Sequence, residues 1–149
     1  MATLKEPTSQ TFVSAHQKLR YYLLAAASRL NCQVKSFLQP YDITAKQLDI
    51  LQILSERPST PHGIMQIRNC MSDQMSDTSR LIDRLLKKSL VKKQPCKHDK
   101  RQAEVLITNA GLALLTKIHQ EMEIMDQKTS RLSESEVENL IYLLNKMNA

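Results

Sequence analysis

Residues 78–88 read TSRLIDRLLKK, and this stretch decides the fold. Its apolar or small side chains recur at intervals of three and four, which places them on one stripe of an α-helix. The stripe consists of Thr78, Leu81, Ile82 and Leu85. At about 100° per residue, the opposite face carries Ser76, Arg80, Asp83, Arg84 and Lys87. The pattern predicts an amphipathic helix that Ser76 opens, that runs to about Lys88, and that exposes its charged side chains.

This helix lies in the most basic part of the chain. Residues 79–101 carry nine basic and two acidic side chains, a net charge of +7, whereas the whole chain carries +6. A local basic patch is the footprint of a polyanionic partner, most often nucleic acid. The solvated face of a basic protein would have the same composition, so charge alone leaves both interpretations open.

Two short apolar segments follow the helix. LVKKQPC (90–96) and AEVLI (103–107) flank the polar run KHDKR (97–101). Val105 and Ile107 alternate with other residues, as side chains do in a strand. We therefore predict two antiparallel strands with a basic tip. Their glycine-free connection predicts a longer, mobile loop rather than a two-residue turn.

Three helices are predicted before the helix at residues 76–88. The first covers residues 10–38 and carries an apolar stripe that begins at Phe12. The capping box Thr44-x-x-Gln47 opens the second helix, which ends before Pro58. Thr60-Pro61 opens the third helix, because Thr is a good N-cap and Pro is favoured at the first helical position. This helix runs to about Cys70.

Two helices complete the chain. Thr108 is the predicted cap of a fifth helix over about 109–130, and the capping box Ser133-x-x-Glu136 opens a sixth. Leu112, Leu115, Ile118, Met122 and Met125 form one face of the fifth helix. The predicted fold is mainly α with a small β-hairpin wing (α+β), in which the third and fourth helices form a helix-turn-helix. The chain has the length of one domain, and its only two glycines exclude sandwiches, barrels and doubly wound sheets.

The sequence offers no sign of catalysis, metal binding or a cofactor. No nucleophile or carboxylate pattern accompanies the histidines, so an enzyme is not expected. Cys96-x-His98 supplies too few ligands for structural zinc. No apolar run is long enough to cross a bilayer and no signal pattern is present, which predicts a cytoplasmic protein with reduced cysteines. Whether Cys32, Cys70 or Cys96 senses redox state stays open.

The chemistry of the predicted helix-turn-helix suits double-stranded DNA. A recognition helix needs donors near its N-terminus, where base edges lie and where free backbone N–H groups favour phosphate. The candidates there are Gln74, Ser76, Asp77 and Ser79, followed by Arg80 and Arg84, which can reach phosphates or guanine. Asp77 would either accept from cytosine or orient Arg80, and the sequence does not decide between them.

The predicted wing has a different role. An arginine at the end of a loop can enter the narrow, electronegative minor groove. Arg101 is the candidate, and Asp99 could hold its guanidinium by a charge-assisted hydrogen bond. Lys97 and Lys100 would add contacts to the DNA backbone.

Three segments together resemble the MarR family of winged-helix transcription regulators. They are SRLIDRLLKKSLV (79–91), DKR (99–101) and LITNAG (106–111), which match the family pattern SRLVDRLxxxGLV, D-x-R and LTxxG in order and spacing. The resemblance covers about residues 10–147. It implies a single MarR-type domain over 1–149, with a winged helix-turn-helix lobe at about 44–107 and dimerisation helices at about 10–38 and 109–147.

The resemblance also implies a mode of action. Members act as homodimers on pseudo-palindromic operators, and many release DNA when a small, often phenolic, ligand enters a cleft between the dimerisation and DNA-binding regions. The family's recognition-helix contacts fall on residues 76–84, its wing arginine on Arg101 and the paired aspartate on Asp99. This sequence departs from the pattern at Ser89, where glycine is usual, and in residues 71–75, which are unusually acidic.

Two functions are compatible with the sequence. We expect a sequence-specific, ligand-responsive repressor. The alternative is a winged-helix module that binds proteins, or one that binds all duplexes alike through phosphate contacts. The operator, the regulated genes, the effector and the choice between repression and activation are not determined by the sequence.

Overall fold

A computed structural model describes residues 12–96, 103–129 and 131–148. The chain forms two compact units, Met1–Leu115 and Thr116–Ala149. The elements are α1 (Ala15–Leu38), α2 (Ala45–Ser55), β1 (His62–Gly63), α3 (Ile64–Cys70), α4 (Thr78–Lys87), β2 (Val91–Pro95), β3 (Ala103–Ile107), α5 (Asn109–Thr129) and α6 (Glu134–Asn148). The prediction of a mainly helical chain with a small antiparallel sheet is confirmed.

The predicted hairpin is present, and it is extended by a third strand. β2 pairs antiparallel with β3 from Val91 opposite Ile107 to Pro95 opposite Ala103. β1 pairs antiparallel with the other edge of β3, which gives the strand order β1-β3-β2. The sequence did not reveal β1, because two residues are too few to show a strand periodicity.

The extra strand shifts the start of the third helix, so the predicted opening at Thr60-Pro61 is wrong. α3 begins at Ile64, and its N-cap is Gly63, whose N–H donates to Gln66 Oε1 at 2.9 Å. Thr60 lies in a turn that its N–H closes on the carbonyl of Arg57. The backbone of His62 and Gly63 pairs with β3, so this segment is not available for the hydrogen bonds of a longer helix.

The first helix also begins later than predicted. α1 starts at Ala15, and Ser14 Oγ accepts from the N–H of Gln17 at 3.2 Å. Gln17 Oε1 in turn accepts from the N–H of Val13 at 2.7 Å, so Phe12 precedes the helix rather than opening its stripe. α1 ends at Leu38 as expected, before a 3-10 turn that contains Pro40.

The core of the first unit lies between α2, α3, α4 and the sheet. Its fully buried side chains are Leu38, Ile50, Leu51, Leu54, Ile67, Ile82, Leu85 and Val105. α2 is central, since it contacts α1, α3, α4 and β3. The capping box of α2 is confirmed, with Thr44 N–H donating to Gln47 Oε1 at 3.0 Å and Gln47 N–H to Thr44 Oγ1 at 3.3 Å.

The second unit contains α6, whose predicted capping box is also present. Glu136 Oε2 accepts from the N–H of Ser133 at 2.8 Å and from its hydroxyl at 2.8 Å. These hydrogen bonds lower the pKa of the Glu136 carboxyl. The apolar side chains of α6 are largely exposed in a single chain, including Val137, Leu140, Ile141, Leu143 and Met147.

Candidate nucleic-acid interface

The candidate interface is built on the start of α4, whose N-cap is Asp77 rather than Ser76. Asp77 Oδ1 accepts from the N–H of Arg80 at 3.2 Å, and Asp77 Oδ2 lies 3.4 Å from Arg80 Nε. Of the two roles considered for Asp77, the contacts support the one in which it orients Arg80. The cap of α4 therefore lies one residue later than predicted, and the helix begins at Thr78.

Ser76 is buried, which contradicts the predicted exposure of this residue. It retains only 7% of its accessible surface, and its Oγ donates to Asp73 Oδ2 at 3.0 Å. The helical period assigned Ser76 to the outer face, but Ser76 precedes the helix, so this period does not apply to it. Ser76 belongs to the turn that carries α4.

The outer face of α4 otherwise agrees with the sequence analysis. Thr78, Ile82 and Leu85 are buried, and Leu81 is half-buried. The exposed side chains are Ser79, Arg80, Asp83, Arg84 and Lys87. The predicted recognition helix, α4, therefore presents Arg80, Arg84 and Lys87 to solvent, while its opposite face packs into the core.

The turn between α3 and α4 is tied to α2 by two carboxylates. Asp73 accepts from Lys46 Nζ at 2.6 Å, from Ser76 Oγ at 3.0 Å and from the N–H of Met75 at 3.0 Å. The hydrogen bond from Lys46, followed by those from Ser76 and Met75, lowers the pKa of Asp73. The acidity of this segment therefore has a structural use that the sequence alone did not reveal.

The second carboxylate is Asp49, one turn after Lys46 on α2. Asp49 Oδ2 accepts from the N–H of Ser72 at 3.1 Å and from its hydroxyl at 2.9 Å. Arg68 Nε donates to the carbonyl of Gln74 at 2.9 Å from the α3 side. The turn is thus held by side chains of α2 and of α3. Gln74 remains exposed on this turn.

The hairpin is fixed to the recognition helix by an ion pair. Lys93 Nζ on β2 lies 2.6 Å from Asp83 Oδ1 on α4. This contact links β2 to the exposed face of α4. The predicted wing residues Lys97, Asp99, Lys100 and Arg101 lie outside the described residues.

The end of α4 is closed by a Schellman motif. Ser89 takes the left-handed conformation, with φ 57°, that glycine usually supplies in this motif. The N–H of Ser89 donates to the carbonyl of Leu86 at 2.9 Å, and the N–H of Leu90 to that of Leu85 at 3.1 Å. The departure at Ser89 therefore leaves the helix cap intact.

A cavity of about 800 Å³ lies between the end of α1, the start of α2 and α4. Its ionic lining consists of Lys35, Asp42, Lys46, Arg84, Lys87 and Lys88. Ile43 and Leu81 add apolar surface. Lys88 Nζ lies 2.6 Å from Asp42 Oδ2. The wall of the cavity therefore combines a largely apolar surface with several cationic residues, as suits a small organic anion.

Other chemistry is sparse in the described part of the chain. There, no three His, Cys, Asp or Glu side chains are grouped so that they could hold a metal ion. None of the described helices combines the length and the apolar character that a membrane span requires. Cys32 and Cys70 are exposed, Cys96 is half-buried, and all three are free thiols.

Fold and interface together define a winged helix-turn-helix protein. The MarR family profile matches residues 43–103. The multiple antibiotic resistance protein MarR of Escherichia coli is 32% identical over 117 residues, which cover 76% of this chain and 79% of that protein. The transcriptional regulator PecS of Dickeya dadantii is 29% identical over 110 residues, covering 72% of this chain and 66% of that protein. The chain belongs to the MarR family.

Solved structures agree with this assignment. A crystal structure of an Escherichia coli MarR mutant complexed with operator DNA has a TM-score of 0.75 and 26% identity, covering 87% of this chain and 93% of that one. Bordetella bronchiseptica BpsR has a TM-score of 0.78, covering 93% of this chain and 98% of that one. At 21% identity, the likeness to BpsR shows the fold alone.

Proposed function

We propose that this MarR-family regulator is a repressor that binds a pseudo-palindromic operator as a homodimer, with α4 in the major groove. The observation that carries the proposal is the exposed cationic face of α4, which begins at a capped helix N-terminus inside a braced helix-turn-helix. The related Escherichia coli MarR is known in complex with operator DNA. The protein acts in the cytoplasm, where this DNA is found, and it is not an enzyme.

Different residues of the turn and of α4 would contact the bases and the phosphates of the DNA. Gln74 in the turn and Ser79 in the first turn of α4 lie where base edges would be read, while Arg80 and Arg84 reach guanine or phosphate. The ion pair with Asp77 keeps the Arg80 guanidinium next to the N-cap of α4. Ser76 supports this surface from inside the turn rather than contacting DNA itself.

The wing contributes minor-groove contacts. As the sequence predicts, Arg101 would enter the groove with its guanidinium held by Asp99, and Lys97 and Lys100 would approach the phosphates. The ion pair between Asp83 and Lys93 supports this arrangement, because it holds β2 against the helix that occupies the major groove.

Dimerisation is supported by the apolar side chains that a single chain leaves in solvent. On α1, Leu24 and Leu30 are 67% and 59% exposed. On α6, Ile141 and Met147 are 53% and 54% exposed. Burying such faces against a second copy removes apolar surface from water, and a two-fold dimer presents two recognition helices to a palindrome.

A small organic anion is the proposed effector, and the cationic cavity is its proposed site. The DNA binding of BpsR, a structural neighbour, is regulated by 6-hydroxynicotinic acid, which is an aromatic carboxylic acid. The cavity of this chain offers five cations beside Ile43 and Leu81, so an apolar ring with a carboxylate would find partners for both parts.

A gel shift tests the proposal. DNA that flanks the protein's own gene would be mixed with the protein at fixed physiological salt and a large excess of unrelated duplex. A discrete band that survives the competitor is expected. If the band is lost and random-sequence selection also finds no preferred site, the second candidate function, a non-specific architectural module, replaces the first.

Two variants sharpen this test. Arg101→Ala should weaken operator binding without unfolding the protein, because it removes the minor-groove contact. Lys146→Ala, which removes the same charge from the last turn of α6, is the matched control and should bind normally. Equal operator affinity of Arg101→Ala and the parent protein would contradict the assignment of the wing.

A further inference from the structure

We propose that Lys46 links the cavity to the recognition helix, so that an anion bound in the cavity releases the turn before α4 by drawing Lys46 away from Asp73. The inference rests on the proposed function, since it assumes that α4 reads DNA. It assigns a positioning role to Asp73 and a regulatory role to Lys46.

Lys46 is the residue that the two sites share. It lies in the first turn of α2 and lines the cavity. Its Nζ also lies 2.6 Å from Asp73 Oδ2 in the turn between α3 and α4. About half of the Lys46 side chain is exposed (52%), so its flexible stem is free to redirect the ammonium group. Asp73 does not line the cavity.

Asp73 organises the turn that leads into the recognition helix. Besides Lys46, its carboxylate accepts from Met75 N–H and Ser76 Oγ, and its carbonyl accepts from the N–H of Ser76 at 3.2 Å. The next residue along is Asp77, which caps α4. The position of Asp73 therefore sets where α4 begins, and the contact with Lys46 ties that position to α2.

An anion in the cavity competes with Asp73 for the same ammonium group. Lys46 and Lys88, two of the five cations in the cavity wall, are already paired with the carboxylates of Asp73 and Asp42. A carboxylate that enters the cavity is attracted by all five cations. When it binds Lys46, Asp73 loses its contact with α2, and the turn keeps its local hydrogen bonds, the brace from Asp49 and the hydrogen bond from Arg68.

This competition makes a reciprocal prediction. If anion binding and the Lys46–Asp73 pair exclude each other, then removing the Asp73 charge must strengthen anion binding while it weakens DNA binding. A residue that merely stabilised the turn would lower DNA affinity without changing anion affinity. The two readouts therefore separate a regulatory link from a structural role.

The experiment uses benzoate as the probe and uncharged benzamide as its control. Operator affinity of the full chain is measured at constant ionic strength, because DNA binding depends on salt. Benzoate should weaken DNA binding of the parent protein by about five-fold or more, a typical coupling between sites, and benzamide should not. In Asp73→Asn, DNA binding should be weaker from the start and less sensitive to benzoate than that of the parent protein.

Calorimetric titration without DNA completes the test. Asp73→Asn should bind benzoate more tightly than the parent protein does. Asp49→Asn is the matched control, because Asp49 braces the same turn through Ser72 without a contact to Lys46, so its benzoate affinity should not change. Thermal unfolding of each variant verifies that it is folded.

The outcomes are distinct. Absence of benzoate binding to the parent protein, unchanged benzoate affinity in Asp73→Asn, or an undiminished benzoate effect on its DNA binding would each overturn the link. Failure of the parent protein to bind any selected DNA sequence would instead refute the proposed function.

Discussion

The hydroxyl of Thr108 donates to the backbone carbonyl of Ser89 at 2.8 Å, which joins the end of the recognition-helix segment to the start of α5. The same Oγ1 lies 3.0 Å from the carbonyl of Leu90 and accepts from the N–H of Gly111 at 3.1 Å. The motifs SLV and TNAG, which are about 20 residues apart in the sequence, are therefore one junction in the fold.

Gly111 is required at this junction by a close backbone approach. A Cβ at this position would overlap the carbonyl oxygen of Leu90 and lie 2.8 Å from Ile107 Cγ1. We expect Gly111→Ala to lower the unfolding free energy by about 1–2 kcal/mol, because the clash exceeds the gain in helix propensity. Urea denaturation measures the change. Gly63→Ala is the control, since its nearest neighbour would be Gln66 Oε1 at 3.6 Å, and equal effects would contradict the steric argument.

Ser89 provides a stabilising substitution. A non-glycine residue with φ 57° is strained, and glycine relieves this strain at some cost in the entropy of the unfolded chain. Ser89→Gly should raise the unfolding free energy by about 0.5–1 kcal/mol net. Because dimer stability depends on protein concentration, both proteins are compared at the same concentration. Ser89→Ala should bring no such gain, and an equal gain would rule out relief of backbone strain.

The apolar face of α6 predicts the assembly state. Leu140→Arg places a charge on a surface that we expect a second copy to bury, so the variant should shift towards monomer and lose operator affinity. Sedimentation equilibrium gives the mass. Glu138→Arg introduces the same side chain on an exposed polar position of the same helix and should remain dimeric. A dimeric Leu140→Arg protein would show that this face is not the interface.

The carboxyl of Asp73 should titrate below its ordinary value. The hydrogen bond from Lys46, together with those from Ser76 and Met75 N–H, lowers its pKa in the folded protein. A lowered pKa contributes stability above the unfolded value of about 3.9, and this contribution is lost as the pH falls through the folded pKa. The stability difference between the parent and Asp73→Asn should therefore be constant from about pH 7 to 5 and shrink below about pH 4.

Carboxyl carbon NMR checks this directly. The resonance of Asp73 should titrate at lower pH in the parent protein than in Lys46→Met, where the largest cause of the shift is removed. An identical midpoint in both proteins would show that Lys46 does not hold the Asp73 carboxylate in solution.

Arg80 and Arg84 should separate into two functional classes. Both are exposed on α4, but Arg84 also lines the cavity and Arg80 does not. Arg80→Ala should weaken DNA binding and leave benzoate binding intact, whereas Arg84→Ala should weaken both. If Arg80 contacts a phosphate, its removal also makes the dependence of the DNA-binding constant on salt less steep: the negative slope of log K against log salt concentration decreases in magnitude by about 0.9. A loss of benzoate affinity in Arg80→Ala would contradict the position of the cavity.

Structural features that depend only on residues close together in the sequence could be predicted from it. The stripe of α4 and the capping boxes at Thr44 and Ser133 depend on residues within one or two helical turns, so their pattern is complete in the sequence. The hairpin was visible for the same reason. The charged face of α4, on which the candidate interface depends, follows from this helical period.

Long-range contacts decided the rest. β1 exists because β3 offers a free edge to His62 and Gly63, which are 41 to 43 residues away in the sequence. The cap of α4 moved to Asp77 because Ser76 is drawn inward by Asp73, which Lys46 holds from another helix. The contacts that join Lys46 to Asp73 and β1 to β3 span 27 to 43 residues, and no periodicity or propensity indicates them. The sequence by itself determined the helices and the surface they present, whereas only the tertiary structure decided how the turn, the wing and the cavity are connected.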